Sequence, residues 1–405
     1  MKIAVIGQGY VGLPLALSLA GAGHYVVGFD TNRVKIQELL AGKSYIDDVN
    51  SEVLKLFVDS GHYLPTFDPT DIANVEVAII AVPTPLNSSK EPDLSYLESA
   101  CDLLGEILIN GTLIINESTS YPGTLRKIIS ARIEAKTKLN GKHLYAVSPE
   151  RVDPGNSSFS IKNTPRLIAG LTYEATKAAH QIYQSICEKV IIVSSPEIAE
   201  AAKIFENTFR QVNIALVNEF STIMQAMDIS TREVLEASAS KPYGFMKFEP
   251  GIGVGGHCIP VDPIYLAFIS EKFGISSKFI NLATQVNAQM PEVIAEILER
   301  KIGQKLNGKK ILVLGITYKP DIADVRESPS IELIRTLRER GCEVVWNDPI
   351  VTLWENESST PLTKSDFDAT LIAVAHKSFE VEKILLTSKL VLDATGKYLK
   401  VKQLI

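Results

Sequence analysis

Short apolar runs rich in β-branched residues recur along the first third of the chain: KIAVIG from Lys2, HYVVGFD from His24, VEVAIIAV from Val75, TLIINES from Thr112 and LYAVSP from Leu144. Apolar residues at helical spacing fill several of the gaps, as in GLPLALSLAGAG from Gly12 and RVKIQELLAG from Arg33. The alternation predicts an α/β domain: a parallel sheet with helices on both faces. RLIAG from Arg166 and VIIVSS from Val190 are expected to extend that sheet. From Pro196 the pattern changes. Helical spacing runs through Ile229 and predicts one long helix or two in series, a plausible pairing surface for a second copy. Helical texture returns in TREVLEAS and in FINLATQVNAQMPEVIAEILERKI, with a glycine-rich stretch between them. After LNGKK the strand–helix alternation resumes with ILVLGITY, SIELIRTLRERG, CEVVWND, ATLIAVAH and LVLDAT. The predicted organisation is a doubly wound domain over residues 1–195, a helical middle domain over 196–300, and a second doubly wound domain over 301–405.

Composition adds limits. The chain has 405 residues, too many for one ordinary core. Apolar residues make up 45% and charged residues 22%, the balance of a soluble globular protein. A net charge of -6 without a basic cluster excludes a general nucleic-acid footprint and points to small-molecule partners. The apolar runs are too short to span a membrane. The start, MKIAVIGQGY, lacks the basic region and cleavage site of a signal peptide, so a cytoplasmic setting is expected. The four cysteines are scattered and the six histidines lack ligand spacing, so no metal site is expected.

Two motifs carry chemistry. VIGQGYVG places Gly7, Gly9 and Gly12 in G-x-G-x-x-G spacing, directly after a strand and opening a helix. Gly7 permits the tight turn, Gly9 lets a pyrophosphate approach the backbone, and Gly12 lets helix and strand pack closely. Asp30 ends the next strand, about twenty residues on, where a carboxylate accepts from a ribose 2′-hydroxyl and repels a 2′-phosphate. NAD is therefore expected over NADP. The plainer alternative is a glycine-rich turn with no ligand. The second motif is GIGVGGHCIPVDPIYL from Gly251. Bare backbone admits a ligand and offers amide donors, and a thiolate at Cys258 can attack a carbonyl carbon. The plainer alternative is a small buried thiol in a turn. Joined to an NAD fingerprint, the cysteine suggests aldehyde oxidation through a thiohemiacetal and a thioester.

The whole chain resembles the UDP-glucose/GDP-mannose dehydrogenase family, the NAD-dependent nucleotide-sugar 6-dehydrogenases. The resemblance lies in VIGQGYVGLP, AVPTP from Ala81, ESTSYPGT from Glu117, SPERVDPGN from Ser148, KIFENTFRQVNIALVNE from Lys203, GVGGHCIPVDPIYL, and GITYKPDIADVRESPS from Gly315. It implies two Rossmann-like domains joined by a long helix, with a UDP-sugar as substrate and NAD as cofactor; the middle helix read above is expected to pair two copies in a homodimer. It implies that Cys258 is the catalytic thiol, that Asp262 assists water or proton transfer, and that Lys203 and Asn207 face the sugar C6 from one helix. A lysine ammonium there also stabilises an oxyanion and favours the thiolate. Thr119 and Glu150 are placed beside the reacting carbon, with Glu150 a candidate base. The implied cofactor contacts are Gly7, Gly9, Tyr10, Val11, Gly12, Asp30, Lys35, Pro83, Thr84, Thr119 and, from the second nucleotide domain, Arg326. Those implied for the sugar nucleotide are Glu150, Arg151, Lys203, Asn207, Phe248, Gly251, Gly255 and Lys319.

Some positions depart from the glucose-oxidising members. Val261 replaces a lysine before the aspartate, and Pro154 replaces the second acid of an acidic segment. CIPVDP, SPERVDPGN and KPYGFMKF from Lys241 instead resemble the acetylated-hexosamine branch, particularly UDP-N-acetylglucosamine 6-dehydrogenases. Even there Lys247 and Glu249 are unusual. The expected reaction is a four-electron oxidation of C6 to a uronate for polysaccharide biosynthesis. The mannosamine epimer and UDP-glucose are the alternative substrates. A non-catalytic NAD and nucleotide-sugar sensor and a 3-hydroxyacid dehydrogenase are the rival classes. The sensor would not need the Cys258, Asp262, Lys203 and Asn207 set, and the hydroxyacid enzyme would not need Cys258.

Overall fold

A computed structural model of the chain describes residues 1–46, 49–109, 111–138, 143–152, 158–256, 258–363, 366–398 and 401–404. The DPGN portion of SPERVDPGN, with Pro154, lies outside the described residues, as does His257. The chain divides into two units, Met1–Glu206 with Ile264–Gly274, and Asn207–Pro263 with Ile275–Ile405.

Among the described residues the first unit holds eight strands: β1 (Lys2–Ile6), β2 (Tyr25–Phe29), β3 (Tyr63–Thr66), β4 (Val77–Ile80), β5 (Leu113–Asn116), β6 (Leu144–Val147), β7 (Arg166–Gly170) and β8 (Val190–Ile192). Their order is β3-β2-β1-β4-β5-β6-β7-β8, parallel except where β7 runs against β6. Helices α1 (Gly12–Gly21), α2 (Arg33–Leu40), α3 (Ser51–Asp59), α4 (Ser95–Ile107), α5 (Ser130–Lys136) and α6 (Tyr173–Tyr183) belong to the same unit. β4 and β5 are buried along their whole length, which is why they read as unbroken apolar runs rather than alternating ones. RLIAG and VIIVSS do extend the sheet, as β7 and β8. The edge strand β3, YLPT, gives no such run; its Pro65 is tolerated because an edge strand need not donate on both sides. The order reverses between β1 and β4, so the loops after these two strands form the crevice where doubly wound sheets bind ligands.

The stretch from Pro196 is a single helix, α7 (Pro196–Ala226), of 31 residues, followed by the separate α8 (Thr231–Ala239). The Ser230 side chain caps α8 by accepting from the Glu233 N–H. A helix that begins at the aspartate of the cysteine motif, α9 (Asp262–Glu271), precedes α10 (Lys278–Ile302).

The second unit is built on a parallel sheet of order β10-β9-β13-β14-β15. Its members are β9 (Lys310–Leu314), β10 (Glu343–Asn347), β13 (Ala369–Ile372), β14 (Val391–Asp393) and β15 (Lys402–Gln403), with a small antiparallel ribbon of β11 (Leu353–Trp354) and β12 (Glu357–Ser358). Helix α11 (Pro329–Glu339) packs Ile331, Leu333, Ile334 and Leu337 into a core shared with Ile294 and Leu298 of α10; α12 (Val381–Ile384) is short. The chain is thus two Rossmann-like α/β sheets connected through helices. Among the described residues no helix is long and apolar enough to cross a membrane.

Candidate active site

The loop after β1 is shaped for close approach. Gly7 has φ +93, and a Cβ there would stand 2.5 Å from the Ala81 carbonyl oxygen; a Cβ at Gly12 would stand 1.8 Å from that of Gly7. No side chain fits either place. Nothing lies within 4 Å of the same position on Gly9, so its backbone is open to a ligand. Asp30 is pinned at the tip of β2: Oδ2 accepts from the Gln8 N–H at 2.9 Å and Oδ1 from the Asn32 N–H at 2.8 Å. Tyr10 is exposed, Val11 packs on the core, and the Lys35 ammonium sits 5.5 Å from the centre of the Tyr45 ring. Across the crevice the Val82 N–H donates to Ser118 Oγ at 2.9 Å, Pro83 is exposed, and the Thr84 carbonyl accepts from the Tyr265 hydroxyl at 3.0 Å. An open amide beside a pinned carboxylate at the sheet's reversal point fits a dinucleotide. Gln8 was not singled out in the sequence, yet it is fully buried, donating to the Val5 carbonyl and accepting from the Tyr63 hydroxyl. Its place between two of the fingerprint glycines was the available signal.

Behind β5 and β6 lies a buried charge cluster. Arg166 Nη1 donates to Glu117 Oε2 at 3.0 Å, and the two side chains are 1% and 0% exposed. The Tyr183 hydroxyl donates to the other Glu117 oxygen. Glu150 Oε1 stands 3.7 Å from Arg166 Nη2 and accepts from the Val152 N–H at 2.6 Å. Burial pushes the Glu117 carboxyl up, opposed by the Arg166 charge and the Tyr183 hydroxyl. Against the penalty of burial, Glu117 and Glu150 hold the Arg166 guanidinium above its ordinary range, so it stays a cation. Arg151 is engaged by Glu206, at 2.5 and 3.0 Å, and by the Pro165 carbonyl at 2.9 Å. Thr119 is half-buried in the turn after β5, and Lys203 is buried on α7.

In the second unit, Cys258 is exposed, unlike Cys101, Cys187 and Cys342. Its carbonyl accepts from the Asp262 N–H at 2.8 Å and the Val261 N–H at 3.2 Å, so the cysteine is tied to the first turn of α9. Asp262 is 1% exposed, and its Oδ2 accepts from Asn207 Nδ2 at 2.6 Å. Asn207 therefore does more than line a helix: it fixes the aspartate of the cysteine motif. The glycine run is anchored at its start, where the Gly251 N–H donates to Asn218 Oδ1 at 2.9 Å; Asn218 Nδ2 in turn donates to Asn287 Oδ1 at 3.0 Å. At its middle the run presses on a wall, because a Cβ at Gly255 would stand 2.7 Å from Pro329 Cδ and 2.8 Å from the Glu327 carbonyl oxygen. Phe248 packs edge-on against Phe209 at 5.9 Å, and the unusual Lys247 and Glu249 pair with each other at 2.8 Å.

The second sheet repeats the first crevice with a different outcome. The Gly315 N–H donates to the Asn347 carbonyl as the Gly7 N–H does to that of Phe29, each at 2.8 Å. The Ile316 N–H donates to Asp348 Oδ2 at 2.8 Å, as Gln8 does to Asp30. Asp348, however, is buried and already engaged. It also accepts from the Ile350 and Val351 N–H groups and lies 3.1 Å from His376 Nε2. Against the cost of burial, these donors hold its carboxyl below the usual range. His376 Nδ1 accepts from the Asp321 N–H at 3.0 Å, which leaves Nε2 to carry the proton toward Asp348. The histidine thus staples the loop that carries Lys319, and Asp348 is held by backbone and side-chain donors. Arg326 is held by Asp324 at 2.7 and 3.0 Å.

Family models of the UDP-glucose/GDP-mannose dehydrogenase family match three stretches: the NAD binding domain over residues 1–187, the central domain over 197–289 and the UDP binding domain over 312–399. The chain belongs to this family. It is accordingly an NAD-dependent UDP-sugar dehydrogenase, an oxidoreductase. A UDP-N-acetyl-D-glucosamine 6-dehydrogenase of Salmonella typhi is 36% identical over 394 residues, 94% of this chain and 91% of the relative. A UDP-N-acetyl-D-mannosamine dehydrogenase of Pyrococcus horikoshii is 36% identical over 391 residues, 94% of this chain and 90% of the relative. A solved structure of a UDP-D-ManNAc dehydrogenase from Pyrococcus horikoshii superposes with a TM-score of 0.90 at 32% identity, covering 99% of this chain and 97% of that one. Family members of both names point to 6-dehydrogenase activity on UDP-N-acetylhexosamines.

Proposed function

We propose that this dehydrogenase converts the C6 alcohol of UDP-N-acetylglucosamine to the uronate, with Cys258 holding the carbon between the two oxidations. The observation that carries the reading is the exposed Cys258, tied through its carbonyl to Asp262, whose carboxylate Asn207 holds at 2.6 Å. Bound NAD, cradled by residues 7–12 and Asp30, supplies the hydride acceptor, and two are used per sugar. Lys203 stabilises the oxyanion on C6 as the hydroxyl proton leaves and the first hydride departs. The Cys258 thiolate then adds to the aldehyde carbon; a C–S bond forms as the carbonyl π bond opens, and the oxygen takes back a proton to give a thiohemiacetal. Loss of the second hydride and the remaining hydroxyl proton leaves a thioester. Glu150 or Asp262 takes one proton from water, which attacks the thioester and displaces the thiolate; the acid so formed gives its other proton to solvent, leaving the carboxylate. Thr119 lies beside the reacting carbon, Arg151, Phe248, Gly251 and Gly255 line the sugar nucleotide, Lys319 reaches it, and Arg326 reaches the cofactor. In this reading residues 1–195 bind NAD, 196–300 form the middle domain and 301–405 bind the UDP-sugar.

The choice of sugar rests on Val261 and on SPERVDPGN and KPYGFM. NADH production from a panel of UDP-glucose, UDP-N-acetylglucosamine, UDP-N-acetylmannosamine, UDP-N-acetylgalactosamine and GDP-mannose tests it. The N-acetylglucosamine nucleotide is expected to give the highest kcat/KM. UDP-glucose as the best substrate sinks the N-acetyl requirement; the mannosamine nucleotide as the best moves the assignment to the epimer.

The proposed assembly is a homodimer through α7. Phe205, Phe209, Leu216 and Ile223 are exposed at 64%, 41%, 63% and 49% and recur at spacings of four and seven residues, a stripe on one helix face. Light scattering after size exclusion is expected to give twice the chain mass of 44.3 kDa, and Leu216→Glu to shift it toward one. A monomeric wild type refutes the dimer.

A further inference from the structure

Glu200 lies on α7, three residues before Lys203, and is 1% exposed. Its carboxylate faces the turn that follows Thr119. Oε2 accepts from the Gly123 N–H at 2.6 Å; Oε1 accepts from the Leu125 N–H at 2.9 Å and from the Ser120 hydroxyl at 3.3 Å. The other side of the turn is closed by Tyr121, whose ring packs on Tyr265 and Phe268 at 6.3 and 5.9 Å. Tyr265 is the residue that donates to the Thr84 carbonyl. One buried carboxylate therefore holds the turn that joins Thr119, Thr84 and the helix of Lys203.

We propose that Glu200 is a positioning residue whose ionised carboxylate sets the 119–125 turn, and with it the wall on which the reacting end of the dinucleotide rests. The inference depends on the cofactor-side reading of Thr119 and Thr84 given under the proposed function. A carboxylate offers acceptors to all three donors. With a proton bound, one oxygen becomes a donor that faces donors, and the hold on the turn weakens. Burial pushes the Glu200 pKa up to about 7, against the pull of the Leu125 and Gly123 N–H groups. Among the described residues, the charged and titratable groups around it include Glu197 on its own helix, Arg126, which pairs with Glu197 at 2.8 Å, the Tyr121 hydroxyl, and Lys272, whose ammonium lies 5.4 Å from the centre of the Tyr121 ring.

The sign of the coupling is distinctive. A pKa raised from 4.5 to about 7 means that the protonated group favours the folded state at acid pH, an increment lost as pH rises through that window. Cofactor affinity runs the opposite way and improves as the carboxylate forms. A carboxyl with a merely structural role would give the first trend without the second.

The experiment uses the full chain and Glu200→Gln. NADH binding without sugar is followed by fluorescence across the pH range around 7, with NADH production from the UDP-N-acetylhexosamines measured in parallel. The wild-type Kd is expected to weaken about tenfold as pH falls through about 7. E200Q, in which an amide donor replaces one acceptor, is expected to bind about tenfold more weakly at alkaline pH and to lack the inflection. Glu197→Gln is expected to keep it. If E200Q does not fold, Ser120→Ala is read instead: with one donor gone, the inflection moves to higher pH. Wild-type affinity and pH dependence in E200Q, no inflection in the wild type, or an unmoved inflection in S120A overturns the proposal. A wild type that binds NADH with the expected inflection but forms none from any UDP-sugar supports the coupling and overturns the functional reading instead.

Discussion

Cys258→Ala is expected to lower uronate formation by about a thousandfold or more, the scale seen when a nucleophile is deleted. The fold should be largely kept, because the thiol is exposed and the alanine variant retains the backbone carbonyl that accepts from the first turn of α9. Far-ultraviolet circular dichroism checks that directly. Cys258→Ser is the sharper variant. Its hydroxyl is a weaker nucleophile and its oxyester a poorer acyl donor, so an acylated protein should accumulate if hydrolysis becomes limiting. Intact-mass spectrometry after incubation with NAD and substrate reads the adduct. Near-normal uronate production by both variants would make the thiol a structural residue and end the covalent mechanism.

Arg166→Met is expected to be the most damaging change to stability. Arg166 and Glu117 are 1% and 0% exposed, and removing the cation leaves a buried carboxylate without its counter-ion. Breaking such a pair costs about 3–5 kcal/mol. For a unit of this size that corresponds to a fall in Tm on the order of 10 °C, measured by thermal circular dichroism. The stranded Glu117 would have a folded-state pKa above its unfolded value. Its protonated form would therefore support the fold at acid pH, and the deficit should widen as pH rises. Glu117→Leu combined with Arg166→Met removes both charges and should recover much of the loss. A single variant that melts with the wild type refutes the account.

The parts of this protein that sequence reveals are those whose logic is local. The glycine fingerprint, Asp30 at the next strand end and the alternation of strands and helices all act over a few tens of residues, and each stands where its pattern placed it. The start of α9 was hidden because CIPVDP carries two prolines; Pro263 sits at the second helical position, where no N–H is required. β3 was hidden because an edge strand with a proline has no apolar run to show. The supporting residues were hidden for a different reason. Glu200 meets Gly123 across 77 residues and Asn218 meets Asn287 across 69, so nothing in either neighbourhood reports the partnership. Lys203 was singled out because its motif resembles a family's, whereas Cys258 stood out beforehand as a thiol in bare glycine-rich backbone beside a dinucleotide fingerprint.

The first unit is discontinuous: Met1–Glu206 is completed by Ile264–Gly274. That late segment supplies Tyr265 and Phe268, which pack on Tyr121, and the hydroxyl that Thr84 accepts. During synthesis the sheet can therefore assemble early, but its crevice wall cannot close until residue 274 has left the ribosome, by which point the cysteine loop has also been made. A fragment cut at the end of the last strand of the sheet would carry the fingerprint glycines without the aromatic backing of the 119–125 turn. Such a fragment suits studies of folding order better than measurements of cofactor affinity.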